Sequence, residues 1–361
     1  MQHSRLAPSS AARRVACPGS RALEERYPEE TESAAAREGT AAHWLAQRYL
    51  MGKEDKRDFA PNGEMITDEM EDGAELYERS IRSIVGDTAR LHVEERVNIF
   101  GVHPDCWGTP DCWALVDNHL HVFDYKFGFG YVDVFENWQL LEYALGIAHD
   151  CDFEKVTMTI IQPRCFTREG KVRSWTISRD KLFGYYLPML QISESETMNN
   201  DADCVPNPQC LHCKGRHACD ALQKTVAWGF DVIADHVSTE LNATQTGVEL
   251  RYLHRMSKLL EARITGLEEQ ARSMIMRGES VTGYKLEPGS GRDQWTCSAE
   301  EIITLGELLG LDLSKPQEAI TPAQARKLGI DDSVLAGYVE RISGKLKLVE
   351  SNAQKIFGGG Y

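Results

Sequence analysis

No stretch of this 361-residue sequence approaches the about 18 consecutive apolar residues that a membrane-spanning helix needs, which excludes a transmembrane protein. Basic residues are outnumbered, with 40 Lys and Arg against 55 Asp and Glu, so the formal net charge is −15. This deficit excludes a general polyanion binder that is basic over its whole surface, although it allows a local basic groove. A dinucleotide-binding fingerprint is also lacking, because Gly128-Phe129-Gly130 has no third glycine and opens no helix.

Cysteine, in contrast, is abundant, with ten residues, and no secretion signal is recognisable. Together these features favour a reducing, cytoplasmic location, where clustered cysteines bind metal more often than they form disulfides. The hydrophobic content of 42% and the charged content of 26% are those of an ordinary globular protein. The length allows two or three domains.

Hydrophobic periodicity predicts an α/β fold. Residues 1–50 are expected to be helical with a break at Gly39-Thr40, and residues 67–90 to form an amphipathic helix. Four strand-like segments of period two follow, namely HVEERVNIFGV, CWALV, HLHVFDYKF and KVTMTIIQPR. The apolar helical segment FENWQLLEYALGIAHD separates the last two. We therefore expect a mixed central β-sheet flanked by helices over about 90–180, and later a long charged helix over 245–278.

The segment Asp117-Asn118 favours a two-residue hairpin turn, because both residues tolerate positive φ. Counting outward from this turn, Asp111 falls opposite Asp124, and Lys126 projects from the same face of its strand. Two facing carboxylates repel each other, which indicates a cation between them, and oxygen ligands favour Mg²⁺ or Mn²⁺. The alternative is a surface hairpin whose charges simply face water.

Five short motifs follow one another along the chain: His43 in GTAAHWL, Glu94 in HVEERV, Gly108-Thr-Pro-Asp111, Asp124-Tyr-Lys126, and Gln139 with Tyr143. Their order and spacing resemble the PD-(D/E)XK nuclease superfamily. The closer resemblance is to its RecB-like branch, which includes the CRISPR-adaptation exonucleases.

The resemblance implies a restriction-endonuclease-like core and a metal-dependent DNA nuclease. The implied ligands of Mg²⁺ or Mn²⁺ are His43, Asp111, Asp124 and the backbone carbonyl of Tyr125. The implied catalytic set is Asp111, Asp124, Lys126, Glu94, Gln139 and Tyr143, in which Lys126 would position the attacking water. Glu95 stays open as an alternative to Glu94, because neighbouring residues of a strand point to opposite faces.

A cysteine run, Cys210-x₂-Cys213-x₅-Cys219, follows the expected core. In the same nuclease branch, such a run joins a distant N-terminal cysteine to hold a [4Fe–4S] cluster, and the resemblance implies Cys17 as that partner. Spacing alone also allows a structural Zn²⁺ site, with Cys204 as the fourth thiolate or His212 or His217 as a substitute. The remaining cysteines are expected to be buried small hydrophobic side chains: Cys106, Cys112, Cys151, Cys165 and Cys297.

A wider resemblance takes in ACPGSRALEERYP, EGTAAH and TGYKLEPGSGRDQW as well as these motifs. It is to a family of phage-encoded proteins of otherwise unknown function, and it implies a role in phage DNA replication or recombination in the host cytoplasm. The implied partners are single-stranded DNA or duplex ends and phage replication or recombination proteins, with no membrane.

The sequence therefore predicts a nuclease domain over residues 1–200, a cysteine-rich segment over 201–225 that closes on Cys17, and a mostly helical region over 226–361. The expected activity is phosphodiester hydrolysis by an exonuclease. The alternatives are a non-catalytic DNA-binding or scaffold module with a structural zinc or iron–sulfur site, and a zinc-ribbon interaction protein.

Overall fold

The structure, a computed structural model, describes residues 4–27, 34–53, 58–235 and 240–286. Met1–Leu286 form one compact unit, and Glu287–Tyr361 form a second unit that lies outside the described residues. The prediction for Cys297 falls in that second unit. Among the described residues, none of the helices combines the length and the apolar character that crossing a bilayer requires.

The predicted α/β fold is confirmed, and its centre is a mixed five-stranded sheet of order β1-β4-β5-β6-β7. Only the β5–β6 pair is parallel, and the other three pairs of this sheet are antiparallel. A two-stranded sheet, β2-β3, stands apart. The strands are β1 (His92–Val93), β2 (Val97–Asn98), β3 (Trp107–Gly108), β4 (Cys112–Val116), β5 (His119–Tyr125), β6 (Lys155–Ile161) and β7 (Val172–Ser178).

Helices flank the sheet and continue after it. Those that precede or interrupt the sheet are α1 (Ala11–Ala16), α2 (Ser20–Glu24), α3 (Ala34–Leu50), α4 (Asp68–Val85) and α5 (Trp138–Ile147). After β7, α6 (Arg179–Lys181) runs through a π-turn, Leu182–Tyr186, into α7 (Leu187–Met198). The described chain ends with α8 (Asp220–Asp235) and α9 (Ala243–Met276).

The predicted hairpin register is confirmed. Asp117 and Asn118 have φ of 48° and 59°, the left-handed values that a two-residue turn requires. Pairing then runs from Val116–His119 outward to Cys112–Phe123, one position short of Asp111 and Asp124. The strand expected over HVEERVNIFGV is wrong, because Glu94 has φ of 53° and turns the chain between β1 and β2, which belong to different sheets.

The expected helix break at Gly39-Thr40 is also wrong, since α3 runs unbroken from Ala34 to Leu50. Glycine in a helix interior costs only about 1 kcal/mol. Packing of α3 on α4 offsets this cost, and α3 buries Ala41, Ala42 and Leu45 there. The Thr40 hydroxyl donates to the Ala36 carbonyl at 3.0 Å, so it follows the helix and does not interrupt it.

The sheet has a hydrophobic core on each side. Leu120 and Val122 of β5 belong to one core, which also holds Leu140 and Leu141 of α5. Phe123 and Tyr125 belong to the other core, which holds the buried residues of α3 and α4. By the same alternation, Asp124 shares a strand face with Val122 and therefore lies on the α5 side.

A buried ion network joins α1 to the helices beyond the sheet. The Arg14 guanidinium, 2% exposed, donates to Glu142 at 2.8 Å and to Glu194 at 2.7 Å. It also donates at 2.6 Å to the Ala7 carbonyl and to the Ser10 hydroxyl. Both carboxylates are fully buried, so Arg14 is the charge that allows α1, α5 and α7 to pack together.

The cysteine-rich segment packs against α9. Arg216 donates to the Cys213 carbonyl at 2.9 Å and pairs with Glu269 of α9 at 2.5 Å. Gly266 of α9 lies so close that an added Cβ would be 2.7 Å from the Arg216 side chain. Arg263 of α9 also donates to the His217 carbonyl. Two charged side chains of α9, Arg263 and Glu269, therefore contact the cysteine-rich segment.

Candidate functional site

Three side chains from distant segments meet at one end of the hairpin. His43 of α3, Glu94 after β1 and Asp111 before β4 each offer a ligand atom, and these atoms all lie within 4.8 Å of one another. The His43 Nδ1 atom lies 3.4 Å from Asp111 Oδ1, and Asp111 Oδ2 accepts from the Tyr125 N–H at 2.7 Å. One nitrogen and two carboxylates in this arrangement are a donor set for a divalent cation.

A second chain of contacts begins at the end of β5. Lys126 donates to Asp124 at 3.0 Å and to the Gln139 side-chain carbonyl at 3.3 Å. Gln139 in turn donates to the Tyr143 hydroxyl at 3.3 Å, one turn further along α5. The second oxygen of Asp124, Oδ2, is buried and lies 2.9 Å from Lys126 Nζ, but it accepts no hydrogen bond.

The charges of the two groups influence each other. Burial alone would raise the pKa of Asp111, but His43 and Lys126 hold it below the usual carboxyl value. The pKa of Asp124 shifts in the opposite direction, because burial raises it despite the ion pair with Lys126. Burial would lower the pKa of Lys126, yet Asp124 and Asp111 keep it raised, so the ammonium stays charged. The neighbours of Asp111 thus stabilise its charged form, whereas the charged form of Asp124 would be stabilised by an added cation.

Glu94, and not Glu95, lies at this site. Desolvation and the neighbouring Asp111 charge raise the pKa of Glu94 to about 7. Glu95 instead contacts His92 at 2.8 Å. The left-handed φ of Glu94 and a hydrogen bond from its N–H to the Asp111 carbonyl, 3.2 Å, place this side chain beside Asp111.

Of the residues predicted for the site, the structure gathers His43, Glu94 and Asp111 into the ligand cluster. Asp124, Lys126, Gln139 and Tyr143 form the contact chain beside it, and the Tyr125 backbone connects the two through its N–H. An open cleft next to His43 is lined also by Trp44 and Gln47, which the sequence reasoning missed. Gln47 lies four residues after His43 on α3, and this spacing is the signal that could have identified it, whereas Trp44 has no such signal.

Gly108 allows the N-terminal segment to approach Tyr143. A Cβ at position 108 would lie 2.8 Å from the Pro8 ring and 2.9 Å from the Tyr143 ring, closer than carbon atoms pack. We expect Gly108→Ala to lower the free energy of unfolding by about 1–3 kcal/mol, as overpacked cores do. Denaturant unfolding measures the loss, and Gly128→Ala is the control, because its added Cβ would meet nothing within 4 Å. Equal stability of the two variants would contradict the close approach.

The predicted cysteines come together in a second location. Cys17 from the end of α1 lines one cavity with Cys204, Cys210, Cys213 and Cys219. Cys17 and the three cysteines of the C-x₂-C-x₅-C run are buried, whereas Cys204 is half-buried. Neither His212 nor His217 is among the residues that line this cavity. His217 packs against the Tyr27 ring at a centroid distance of 4.4 Å.

The thiols of this cavity contact one another. A hydrogen bond with Cys204 lowers the pKa of Cys17 to about 7 and that of Cys219 to about 6. Thiolates are the form that binds metal, so these contacts favour the ligand state of both side chains. Among the other cysteines, Cys106, Cys112 and Cys165 are buried as predicted, but Cys151 is half-buried, which corrects the expectation for that residue.

Comparison with known proteins gives one family and one group of solved structures. A family model described as "Protein of unknown function (DUF2800)" matches residues 3–355. The chain is also similar to the crystal structure of an alkaline exonuclease, LHK-Exo, from Laribacter hongkongensis, with 16% identity and a TM-score of 0.24 over 52% of this chain and 90% of that one. The structure of LHK-Exo in complex with dAMP gives the same values.

Proposed function

The chain belongs to this DUF2800 family, and we propose that it is a metal-dependent deoxyribonuclease. The observation that carries the proposal is the pairing of two groups at one end of the hairpin. One is the His43, Glu94 and Asp111 cluster, and the other is the Asp124–Lys126 pair. A metal-ligand set beside a charged lysine suits phosphodiester hydrolysis, because both would stabilise the negative charge that develops on the phosphate.

The residues present fit a divalent cation. Two carboxylates and an imidazole converge within ligand distance, and Asp124 has a buried oxygen without a hydrogen bond. His43, Glu94 and Asp111 would hold Mg²⁺ or Mn²⁺, with Asp124 and the Tyr125 backbone carbonyl as further ligands. When bound, such an ion polarises the phosphate and stabilises the charge that develops on it.

The chain's own side chains would orient the reactants. Lys126, held by Asp124 and Gln139, keeps its ammonium group fixed where it can position a water by donating to its oxygen. Gln139 and Tyr143 support Lys126 from one face of α5. The open cleft lined by Trp44 and Gln47 leads to His43 and Glu94, so it would admit the DNA backbone.

We propose an exonuclease that acts on single strands or duplex ends in phage DNA replication or recombination, within the host cytoplasm. We further propose that residues 1–200 form the nuclease domain, that residues 201–225 form the metal-cluster segment that closes on Cys17, and that residues 226–361 form a mostly helical C-terminal region. Labelled single- and double-stranded DNA with free or blocked ends, incubated with Mg²⁺ or Mn²⁺, tests the activity. Release of mononucleotides from free ends supports an exonuclease, and the absence of any cleavage with either ion overturns the proposed function.

We propose that a [4Fe–4S] cluster is held by Cys17, Cys210, Cys213 and Cys219, the four buried thiols that line the cysteine cavity. Four thiolates are the usual ligand set of such a cluster. A cluster there would tie α1 to the segment after α7, and its binding energy would add to the stability of the folded state. A zinc ion held by Cys204, Cys210, Cys213 and Cys219 is the alternative that the same cavity offers.

The two cofactors predict different results for Cys17→Ala. Anaerobically purified wild-type protein should be brown and contain about four iron atoms per chain. We expect Cys17→Ala to lose most of the iron and the visible absorbance. Cys151→Ala is the control, because Cys151 is a half-buried cysteine that does not line the cavity, and this variant should keep both. A colourless wild-type protein with one zinc per chain, kept by Cys17→Ala, would contradict the iron–sulfur proposal.

A further inference from the structure

We propose that an aromatic surface beside the metal centre binds the bases of single-stranded DNA, an inference that rests on the proposed function and names its substrate. The aromatic surface consists of Phe129 and Tyr131 on the loop after β5 and Phe166 on the loop after β6. Phe129 is 70% exposed, Phe166 is 81% exposed and Tyr131 is 42% exposed. Exposed rings gathered on neighbouring loops mark a binding surface more often than rings scattered singly over a protein do.

The sheet topology brings the two loops together at the metal centre. Because β5 and β6 are parallel, both loops leave the same edge of the sheet, the edge at which Asp124 and Lys126 lie. The N–H of Lys126 donates to the Ile161 carbonyl at 3.0 Å, so the loops start side by side. Phe129 follows Lys126 by three residues, which limits their Cα separation to about 11 Å. About three stacked nucleotides span that distance.

The loops are held in place by buried polar side chains. Gln162, fully buried, donates to the carbonyls of Gly128 and Gly130 at 2.8 and 2.7 Å. Arg173, 4% exposed, donates to the Gln162 side chain at 2.7 Å and to the Val132 carbonyl at 3.0 Å. Phe129 and Tyr131 are therefore presented on a loop held by these hydrogen bonds, which reduces the entropy lost when a base stacks on them.

Basic side chains lie against the same rings. The guanidinium of Arg164 lies 3.9 Å from the Phe127 ring centroid and 4.6 Å from that of Phe129. Arg173 lies 4.9 Å from the Tyr131 centroid, and Lys171 Nζ lies 5.5 Å from that of Phe166. Exposed rings backed by cations form the kind of platform on which successive bases of a single strand stack.

The three nearby carboxylates, Glu38, Glu69 and Glu169, are matched in number by the three cations that lie against the rings. Glu38 and Glu69 both pair with Arg164, at 2.7 and 2.9 Å. Glu169 accepts a hydrogen bond from the Tyr131 hydroxyl, which also joins the two loops. A negative strand can therefore approach the aromatic surface although the whole protein has a net charge of −15.

Binding of a fluorescein-labelled oligothymidine to the full chain, in EDTA so that no cleavage occurs, tests the inference. We expect Phe129→Ala and Phe166→Ala each to weaken the affinity about fivefold to thirtyfold, because stacking on one ring contributes about 1–2 kcal/mol. Phe129→Trp should retain the affinity. Phe100→Ala is the matched control, since Phe100 is 54% exposed but lies on the turn after β2, and it should change nothing.

An oligonucleotide with abasic sites separates stacking from charge. It should bind wild type and Phe129→Ala equally, because no base is left to stack. Equal affinity of wild type, Phe129→Ala and Phe166→Ala for the intact oligonucleotide overturns the inference. If the ring substitutions weaken the affinity for duplex DNA as much as that for single-stranded DNA, the assignment to single strands is overturned. If the rings contribute to binding but no DNA is cleaved with Mg²⁺ or Mn²⁺, the nuclease proposal alone is refuted. If DNA is cleaved equally well with and without the rings, this inference alone is refuted.

Discussion

Asp124→Asn is expected to reduce DNA cleavage by about a thousandfold or more, because it removes a charge that both the metal and Lys126 use. The side chain keeps its size, so the packing around β5 stays intact. Its burial raises the pKa of Asp124, which shows that the ionised form is held at a cost to the fold. The lost ion pair with Lys126 opposes the gain from removing this cost, so we expect little change in the melting temperature while activity is lost.

The sequence itself provides the control. Asp105 occurs in the same four-residue motif, Pro-Asp-Cys-Trp, as Asp111, but it lies exposed in the turn before β3. Asp105→Asn should cleave at the wild-type rate, whereas Asp111→Asn should lose activity as Asp124→Asn does. Initial rates on end-labelled DNA with Mn²⁺ measure the difference. Cleavage by Asp124→Asn at the wild-type rate would refute the assigned site.

Arg14→Met is expected to destabilise the folded state by about 3–5 kcal/mol, the usual cost of leaving a buried ion pair half-occupied. The substitution leaves Glu194 buried without its cation and Glu142 buried without its hydrogen-bond donor. Denaturant unfolding at pH 7.5 measures the loss. Arg5→Met is the control, since the exposed Arg5–Glu25 pair should contribute less than about 1 kcal/mol. Adding Glu142→Gln and Glu194→Gln to Arg14→Met should restore most of the stability, and a triple variant that stays as unstable as Arg14→Met would refute this account.

The same network predicts how stability depends on pH. Burial, and then the Glu194 charge, raise the pKa of Glu142 to about 8, against about 4.5 in the unfolded chain. The folded state therefore holds a proton that the unfolded state loses, and this contribution is full below pH 4.5 and is lost as the pH rises through 8. Wild-type stability should fall between pH 5 and 8 by up to about 1.4 kcal/mol per pH unit more steeply than that of Glu142→Gln, and the two profiles should run parallel above pH 8. Profiles that are also parallel below pH 8 would contradict the assignment.

Features that depend on neighbouring residues could be predicted from the sequence. The Asp117-Asn118 turn determines the register of β4 and β5, because few residue types adopt its positive φ values readily. The alternation of side chains along the two strands then determines which residues share a face. Helix α5 was foreseen from its apolar pattern, and its start is marked by Asn137, which accepts the Leu140 N–H. The wrong break at Gly39-Thr40 shows the limit of this reasoning, since packing on α4 outweighed a local preference.

Contacts between distant segments had no such local signal. The pairing of Arg14 with Glu142 and Glu194 spans 128 and 180 residues, and nothing near Arg14 in the sequence predicts it. The same holds for Arg164, which ties Glu38 of α3 to Glu69 of α4. The approach of Cys17 to the cysteine run was expected only through a family resemblance. The cluster of His43, Glu94 and Asp111 likewise depends on a left-handed turn at Glu94 that its residue type does not reveal.

The span of the Arg14 network also bears on synthesis of the protein. A ribosome that adds about 5–20 residues per second makes Glu194, 180 residues after Arg14, about 9–36 s later. During that interval α1 has no complete site in which to bury its guanidinium, so it stays accessible to chaperones and proteases while the sheet is being made. The buried network of Arg14 therefore cannot be completed before Glu194 and the rest of α7 have been made.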